Sequence, residues 1–161
     1  QINEEKYKGY RTLSKAENLS PFSTTSFSWE SNKWSIKPDI VMEGGNLAIA
    51  PDGFISNLDN LSSLTVSANS TKNQFDIING TSEATAHASW FAAQLQSRYP
   101  DAWPETIRGL IVHSAEWTNG LINQFNIDIN KKGSISDLLK ICGYGVPNLR
   151  KAMDSIGNSL T

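Results

Sequence analysis

Apolar residues follow two different rhythms along this chain. Up to Ile78 they come in short runs divided by turn residues. Leu19-Ser20-Pro21-Phe22-Ser23 is a candidate short strand, and its proline restricts it to an edge or a strand start. Lys37-Pro38-Asp39-Ile40-Val41-Met42 reads as an apolar strand ending at Gly44-Gly45. Leu47–Ala50 and Gly53–Ile55 flank Pro51-Asp52, which predicts a hairpin. Leu64-Thr65-Val66 and Phe75-Asp76-Ile77-Ile78 are two further strands. Beyond residue 81 the period changes. Ala84, Ala88, Phe91, Ala92 and Leu95 fall on one face of a helix spanning 82–98, and its first contacts are small enough for close packing.

Tyr99-Pro100 ends that helix. Pro104 opens a second, with Ile107, Leu110, Ile111 and Ser114 on one face, and Asn119-Gly120 stops it. Residues 120–137 are rich in Asn and Lys and read as loop, as does the Ser- and Trp-rich 24–36; the polar residues 1–20 read as loop or edge structure. Gly143-Tyr144-Gly145 is a turn, and Pro147 opens a last helix carrying Leu149, Ala152 and Met153. Strands first and helices after describe part of an α/β domain.

Composition narrows the function classes. Hydrophobic residues make up 39% of 161, enough for a real core, and a chain of this length suggests one domain. A net charge of −2 gives no electrostatic case for nucleic acid or an anionic membrane. No apolar run is long enough to span a bilayer. The single Cys142 rules out an internal disulfide and favours a reducing compartment such as the cytoplasm. Asn18, Asn60, Asn69 and Asn79 each begin a glycosylation-type triplet, which an Asn- and Ser-rich chain produces by chance. The chain begins Gln1-Ile2-Asn3 and reads as a piece of a longer polypeptide.

The chemistry concentrates at Asn79-Gly80-Thr81-Ser82-Glu83-Ala84, where a strand hands over to a helix. Backbone N–H groups at a helix start favour negative charge, and a nucleophilic serine needs donors already in place for the oxyanion it creates. On the tripeptide alone, Ser82 would be an ordinary helix cap. Lys37-Pro38-Asp39-Ile40-Val41 upstream and Gly143-Tyr144-Gly145-Val146-Pro147-Asn148 downstream change that weighting. With these three landmarks in order, residues 20 to 156 resemble the subtilisin-like serine peptidases, the subtilases. The resemblance implies an α/β fold: the C-terminal half of a parallel-sheet sandwich with helices packed on the sheet, residues 1–161 being one nucleophile-bearing segment.

It further implies that Ser82 is the nucleophile, that Gly80, Thr81 and Ser82 form the nucleophile turn, and that the Ser82 N–H is one oxyanion donor. His87 matches the non-catalytic histidine after the nucleophile; five positions along the same helix, it is badly placed as a base. The chain departs from the family at Ala86, where proline is usual, and at Met42-Glu43-Gly44, where Ala-Pro-Gly is usual.

The family's order is Asp, His, Ser. No histidine precedes His87, and Asp39, Asp52, Asp59 and Asp76 lack the family's aspartate context. Asn3, Asn18 and Asn32 lack the context of its oxyanion asparagine. The expectation is that the upstream half of the same polypeptide supplies these groups, that a peptide or protein is the substrate, and that the isolated chain is catalytically silent.

Two rivals compete. Ser82, Asp101 and His113 have the chain order of an α/β-hydrolase triad, but only two helices separate Ser82 from His113, with no strand to return the histidine. A non-catalytic scaffold or interaction module is the other, with Trp29 and Trp34 in a polar loop as a partner surface. No cofactor is implied. Calcium at Asp52, Asp59 and Asn60 is outweighed by a solvated loop. No Cys/His pair has metal-ligand spacing, and Gly44-Gly45 lacks the Lys-Ser/Thr of a phosphate loop.

Overall fold

Pro51-Asp52-Gly53 does what its residue types predict. Gly53 adopts φ +90°, its N–H donates to Ala50 O at 2.9 Å, and the Asp52 carboxylate accepts the Phe54 N–H at 3.0 Å. The result is an antiparallel pairing of β2 (Ala48–Ile49) with β3 (Ile55–Ser56). On the other side of β2 lies β1 (Arg11–Thr12), giving a three-stranded sheet ordered β1-β2-β3. The structure is a computed structural model that describes residues 5–26 and 36–158, with side chains to Ser155. Trp29, Trp34, Asn3 and Asn32 lie outside the described residues.

The chain divides into two compact units. The first holds residues 1–23 and 43–84. Besides the three-stranded sheet it contains β4 (Ser63–Val66) and β5 (Phe75–Ile78), an antiparallel pair. Leu64 faces Ile77 and Val66 faces Phe75 across this pair, so four apolar side chains share one face. That face is open: Leu64 is 72%, Val66 76% and Phe75 59% exposed. Leu19–Ser23 is no strand. Its proline and serines close a turn instead, with the Ser23 N–H on Ser20 O at 3.1 Å.

The second unit, residues 24–42 and 85–161, is helical. α1 (Thr81–Arg98) starts in the first unit and runs into this one. As the periodicity requires, Phe91 and Leu95 are buried, and with Ile107 and Ala152 they form the core. α2 (Pro104–Ser114) carries Ile107; α5 (Leu149–Asn158) carries Ala152. The Tyr99 hydroxyl donates to the Met153 carbonyl. α2 stops at Ser114, short of Asn119-Gly120.

Residues 120–137 depart from the loop reading. Asn119–Gln124 is α3, started by Thr118, whose hydroxyl accepts the Leu121 N–H at 3.1 Å. Lys132–Cys142 is α4, which buries Leu138, Ile141 and Cys142. Polar composition hid an apolar series at Ile135, Leu138, Leu139 and Cys142, the spacing of a helix face.

Residues 37–42 also differ from the strand reading. The segment docks onto the glycine turn, with the Tyr144 N–H on Asp39 O and the Val41 N–H on Gly145 O, both 2.9 Å. A Cβ at Gly143 would sit 2.1 Å from Pro38 O, and one at Gly145 2.3 Å from Glu116 O, so both positions require glycine. Two of the sequence landmarks are therefore one contact. The fold is mixed α/β. The strand pairings among the described residues are antiparallel, and the parallel sheet implied by the resemblance is not among them.

Candidate active site

The candidate nucleophile turn is built within the first unit from β5 upward. β5 ends at Ile78, Asn79 follows, and Gly80 turns the chain at φ +100°, a conformation that glycine reaches without steric cost. The Gly80 N–H donates to Gly44 O at 2.7 Å, and a Cβ at Gly44 would lie 3.2 Å from Gly80 O. The glycine of Met42-Glu43-Gly44 thus lets two backbones touch directly behind the turn.

Gly45, at φ +77°, is equally confined: a Cβ there would meet the Asn79 Cβ at 2.7 Å and Leu61 O at 3.0 Å. Asn79 reaches across to Asn57 Oδ1 at 3.0 Å and Ser62 Oγ at 3.3 Å. The Glu43 carboxylate caps the same loop by accepting the Gly45 N–H at 3.0 Å.

Thr81 and Ser82 are the first two residues of α1, and both are exposed. The Glu83 and Ala84 N–H groups already point to Gly80 O, at 3.1 and 3.4 Å. The Ser82 hydroxyl and N–H make no hydrogen bond among the described residues. That argues against the cap reading. Thr118 shows what a cap looks like in this chain: it precedes its helix and its hydroxyl takes a backbone N–H. Ser82 lies inside its helix and its hydroxyl takes none. What the turn offers is a solvent-facing hydroxyl beside an uncommitted N–H at the positive end of an 18-residue helix.

The other sequence candidates are arranged differently. His87 is exposed further along α1. Asp101 and His113 are exposed, and neither makes a side-chain hydrogen bond or ion pair among the described residues. The Asp–His bond required by an α/β-hydrolase triad is thus not among their contacts. Asp39 is bound by the Arg108 guanidinium, 2.9 and 3.0 Å from its two oxygens, and this hydrogen bond raises the arginine pKa. Asp52 serves the β2–β3 turn, and Asp76 accepts the Ile77 N–H at 2.8 Å. Among the described residues no three His, Cys, Asp or Glu gather as a metal site. No described helix is long and apolar enough to cross a membrane.

In the second unit a cavity of about 540 Å³ lies between α1 and α2, lined by Ala88, Ala92, Ile107, Ile111 and the Asp39–Arg108 pair. It belongs to the packing of the two helices and does not include Ser82.

Sequence reasoning missed Glu83. It is 3% exposed, directly after the candidate nucleophile, and accepts a hydrogen bond from the Ser63 hydroxyl. An acid in the first turn of a helix ordinarily signals nothing beyond the helix dipole, so only coordinates could find it.

The site thus consists of a serine on a glycine turn at a helix start, within a mixed α/β fold. The Subtilase family model matches residues 5–145, and the chain belongs to that family, one of serine peptidases. Among curated proteins it is similar to two from Arabidopsis thaliana, subtilisin-like protease SBT1.5 and subtilisin-like protease SBT1.4. Each is 31% identical over 80 residues, which is 50% of this chain and 10% of the relative. The chain therefore aligns with about a tenth of the length of either. No solved structure matches it at comparable significance.

Proposed function

We propose that Ser82 is the nucleophile of a serine endopeptidase and that this chain supplies the nucleophile-bearing part of its catalytic domain. The observation that carries the reading is the exposed Ser82 hydroxyl, held on a glycine turn at the start of α1 and engaged by no hydrogen bond among the described residues. In the reaction, Ser82 Oγ attacks the carbonyl carbon of a peptide bond while its proton passes to a general base. The oxyanion is received by the Ser82 N–H. The C–N bond then breaks, the amine leaves with the proton, and water hydrolyses the acyl-enzyme on Ser82.

The base, its orienting carboxylate and a second oxyanion donor are to come from polypeptide preceding this chain. Three observations support that part. No histidine precedes His87. The alignments cover about a tenth of each relative. The apolar face of β4 and β5 is open in a way that a domain closing its own core avoids. A serine without a base is a weak nucleophile near neutral pH, so the isolated chain is expected to be silent.

A fluorophosphonate probe tests the reading. The full-length polypeptide is expected to label at Ser82, and the isolated chain to label at background level. Ser82→Ala should abolish labelling without moving the melting temperature, because the side chain is exposed and makes no hydrogen bond. A folded full-length protein that never labels at Ser82 refutes the peptidase reading and leaves the non-catalytic scaffold.

A further inference from the structure

We propose that Glu83 is the positioning residue that sets the direction of the Ser82 hydroxyl; the inference rests on Ser82 being the nucleophile. Ser82 has no hydrogen bond of its own to orient it among the described residues, so its aim is inherited from the backbone of residues 79–83. Hydrogen bonds from three of its residues help hold that backbone. Gly80 is bonded to Gly44, Asn79 to Asn57 and Ser62, and Glu83 to Ser63.

The last lies within the helical turn that carries Ser82. Successive helical residues point about 100° apart. With Glu83 turned inward to 3% exposure, Ser82 is turned outward. The carboxylate accepts the hydroxyl of Ser63, the first residue of β4, and its second oxygen lies 3.5 Å from where a Gly45 Cβ would be. Glu83 thus ties the start of α1 to β4. A carboxylate is expensive to bury, and the site retains one next to the nucleophile rather than an apolar side chain. A hydrogen-bonded group fixes rotation about the helix axis in a way that apolar contact does not.

The test compares full-length wild type with Glu83→Ala, Glu83→Gln and Ser63→Ala. The readouts are the second-order rate of fluorophosphonate labelling at Ser82, kcat and KM on a peptide substrate, and the melting temperature. Glu83→Ala should slow labelling and lower kcat by about tenfold or more, with KM within about threefold, because a small misalignment of a nucleophile costs rate before binding. Glu83→Gln keeps a carbonyl oxygen for the Ser63 hydroxyl and should recover to within about threefold of wild type. Ser63→Ala should be slowed, and the double variant should be no slower than Glu83→Ala alone, since both changes break one link.

A folded Glu83→Ala that labels within twofold of wild type overturns the inference while leaving the peptidase reading intact. Should Glu83→Ala fail to fold, Ser63→Ala decides: wild-type labelling there overturns the inference. A wild type that does not label at Ser82 overturns both, since no nucleophile then exists to be aimed.

Discussion

Gly45→Ala is the substitution in which this architecture makes its sharpest quantitative demand. Gly45 sits at φ +77°, where an L side chain costs about 1–2 kcal/mol. Its new methyl would also lie 2.7 Å from the Asn79 Cβ and 3.0 Å from Leu61 O. Neither neighbour is the free end of a flexible chain, so both backbones must shift, at a further ~1–3 kcal/mol. The total is about 2–5 kcal/mol. Gly53→Ala is the matched control. Gly53 sits at φ +90° with no atom within 4 Å of its would-be Cβ, so it incurs only the conformational part, about 1–2 kcal/mol. The stiffer unfolded chain of alanine acts on both variants alike and cancels in the comparison.

The difference of about 1–3 kcal/mol corresponds to roughly 2–12 °C in melting temperature for a chain of this size. Circular-dichroism melts of the two variants side by side measure it. Because the displaced neighbour is Asn79, Gly45→Ala should also slow labelling of Ser82 in the full-length protein, and Gly53→Ala should not. Melting temperatures that coincide would refute the claim that Gly45 is wedged behind the nucleophile turn.

Two further predictions concern the second unit. Burial pushes the Cys142 thiol up to about 12, and its sulfur donates to Leu138 O at 3.3 Å. The folded chain should therefore resist iodoacetamide at neutral pH and react once urea unfolds it; rapid alkylation of folded protein contradicts the packing of α4. The Lys151 ammonium, 2.7 Å from Glu116, holds that carboxylate below its usual range of about 4.5, and the Asn130 N–H, with Lys131, does the same for Asp128. A depressed carboxylate stabilises the folded state above its unfolded pKa and loses that contribution as pH falls through its folded pKa. Lys151→Ala should flatten the acid limb of the urea midpoint below about pH 4.5; an unchanged slope with a constant offset argues against the pair.

Much of the fold was legible because it is local. The α1 stripe needs only the 3.6-residue period, and the β2–β3 hairpin needs only Pro51-Asp52-Gly53 with apolar residues on each side. Composition conceals period in the Asn- and Lys-rich stretch. Asn126, Asn130, Lys131 and Lys132 made 120–137 look like loop, yet Thr118 was available as a cap and Ile135, Leu138, Leu139 and Cys142 as a helix face. Residues 37–42 failed for another reason. An apolar run implies a buried neighbour but does not say which. Here the neighbour is the Gly143–Gly145 turn, reached through a sequence separation that no local rule detects.

The site divides along the same line. The turn that presents Ser82 could be read from the chain because the constraint on it is conformational. A glycine at φ +100° followed by small helical residues is a local device, and it leaves a signature in residue type. Glu83 could not be read, because its role depends on Ser63 and Gly45, which approach only after β4 and β5 have paired. An acid at the second or third helical position is common enough to be dismissed as dipole compensation, which operates at an exposed side chain without any cost of burial. At 3% exposure the carboxylate is withdrawn from water, and the Ser63 hydroxyl offsets part of that cost. The residue that exposes the hydroxyl is thus best recognised by being hidden itself. In Met42-Glu43-Gly44, where the family usually has Ala-Pro-Gly, the shared glycine is the one that permits close backbone approach to Gly80, and Gly45 after it takes a positive φ. The contacts that hold the Gly80 turn among the described residues thus come from Gly44, Asn57, Ser62 and Ser63.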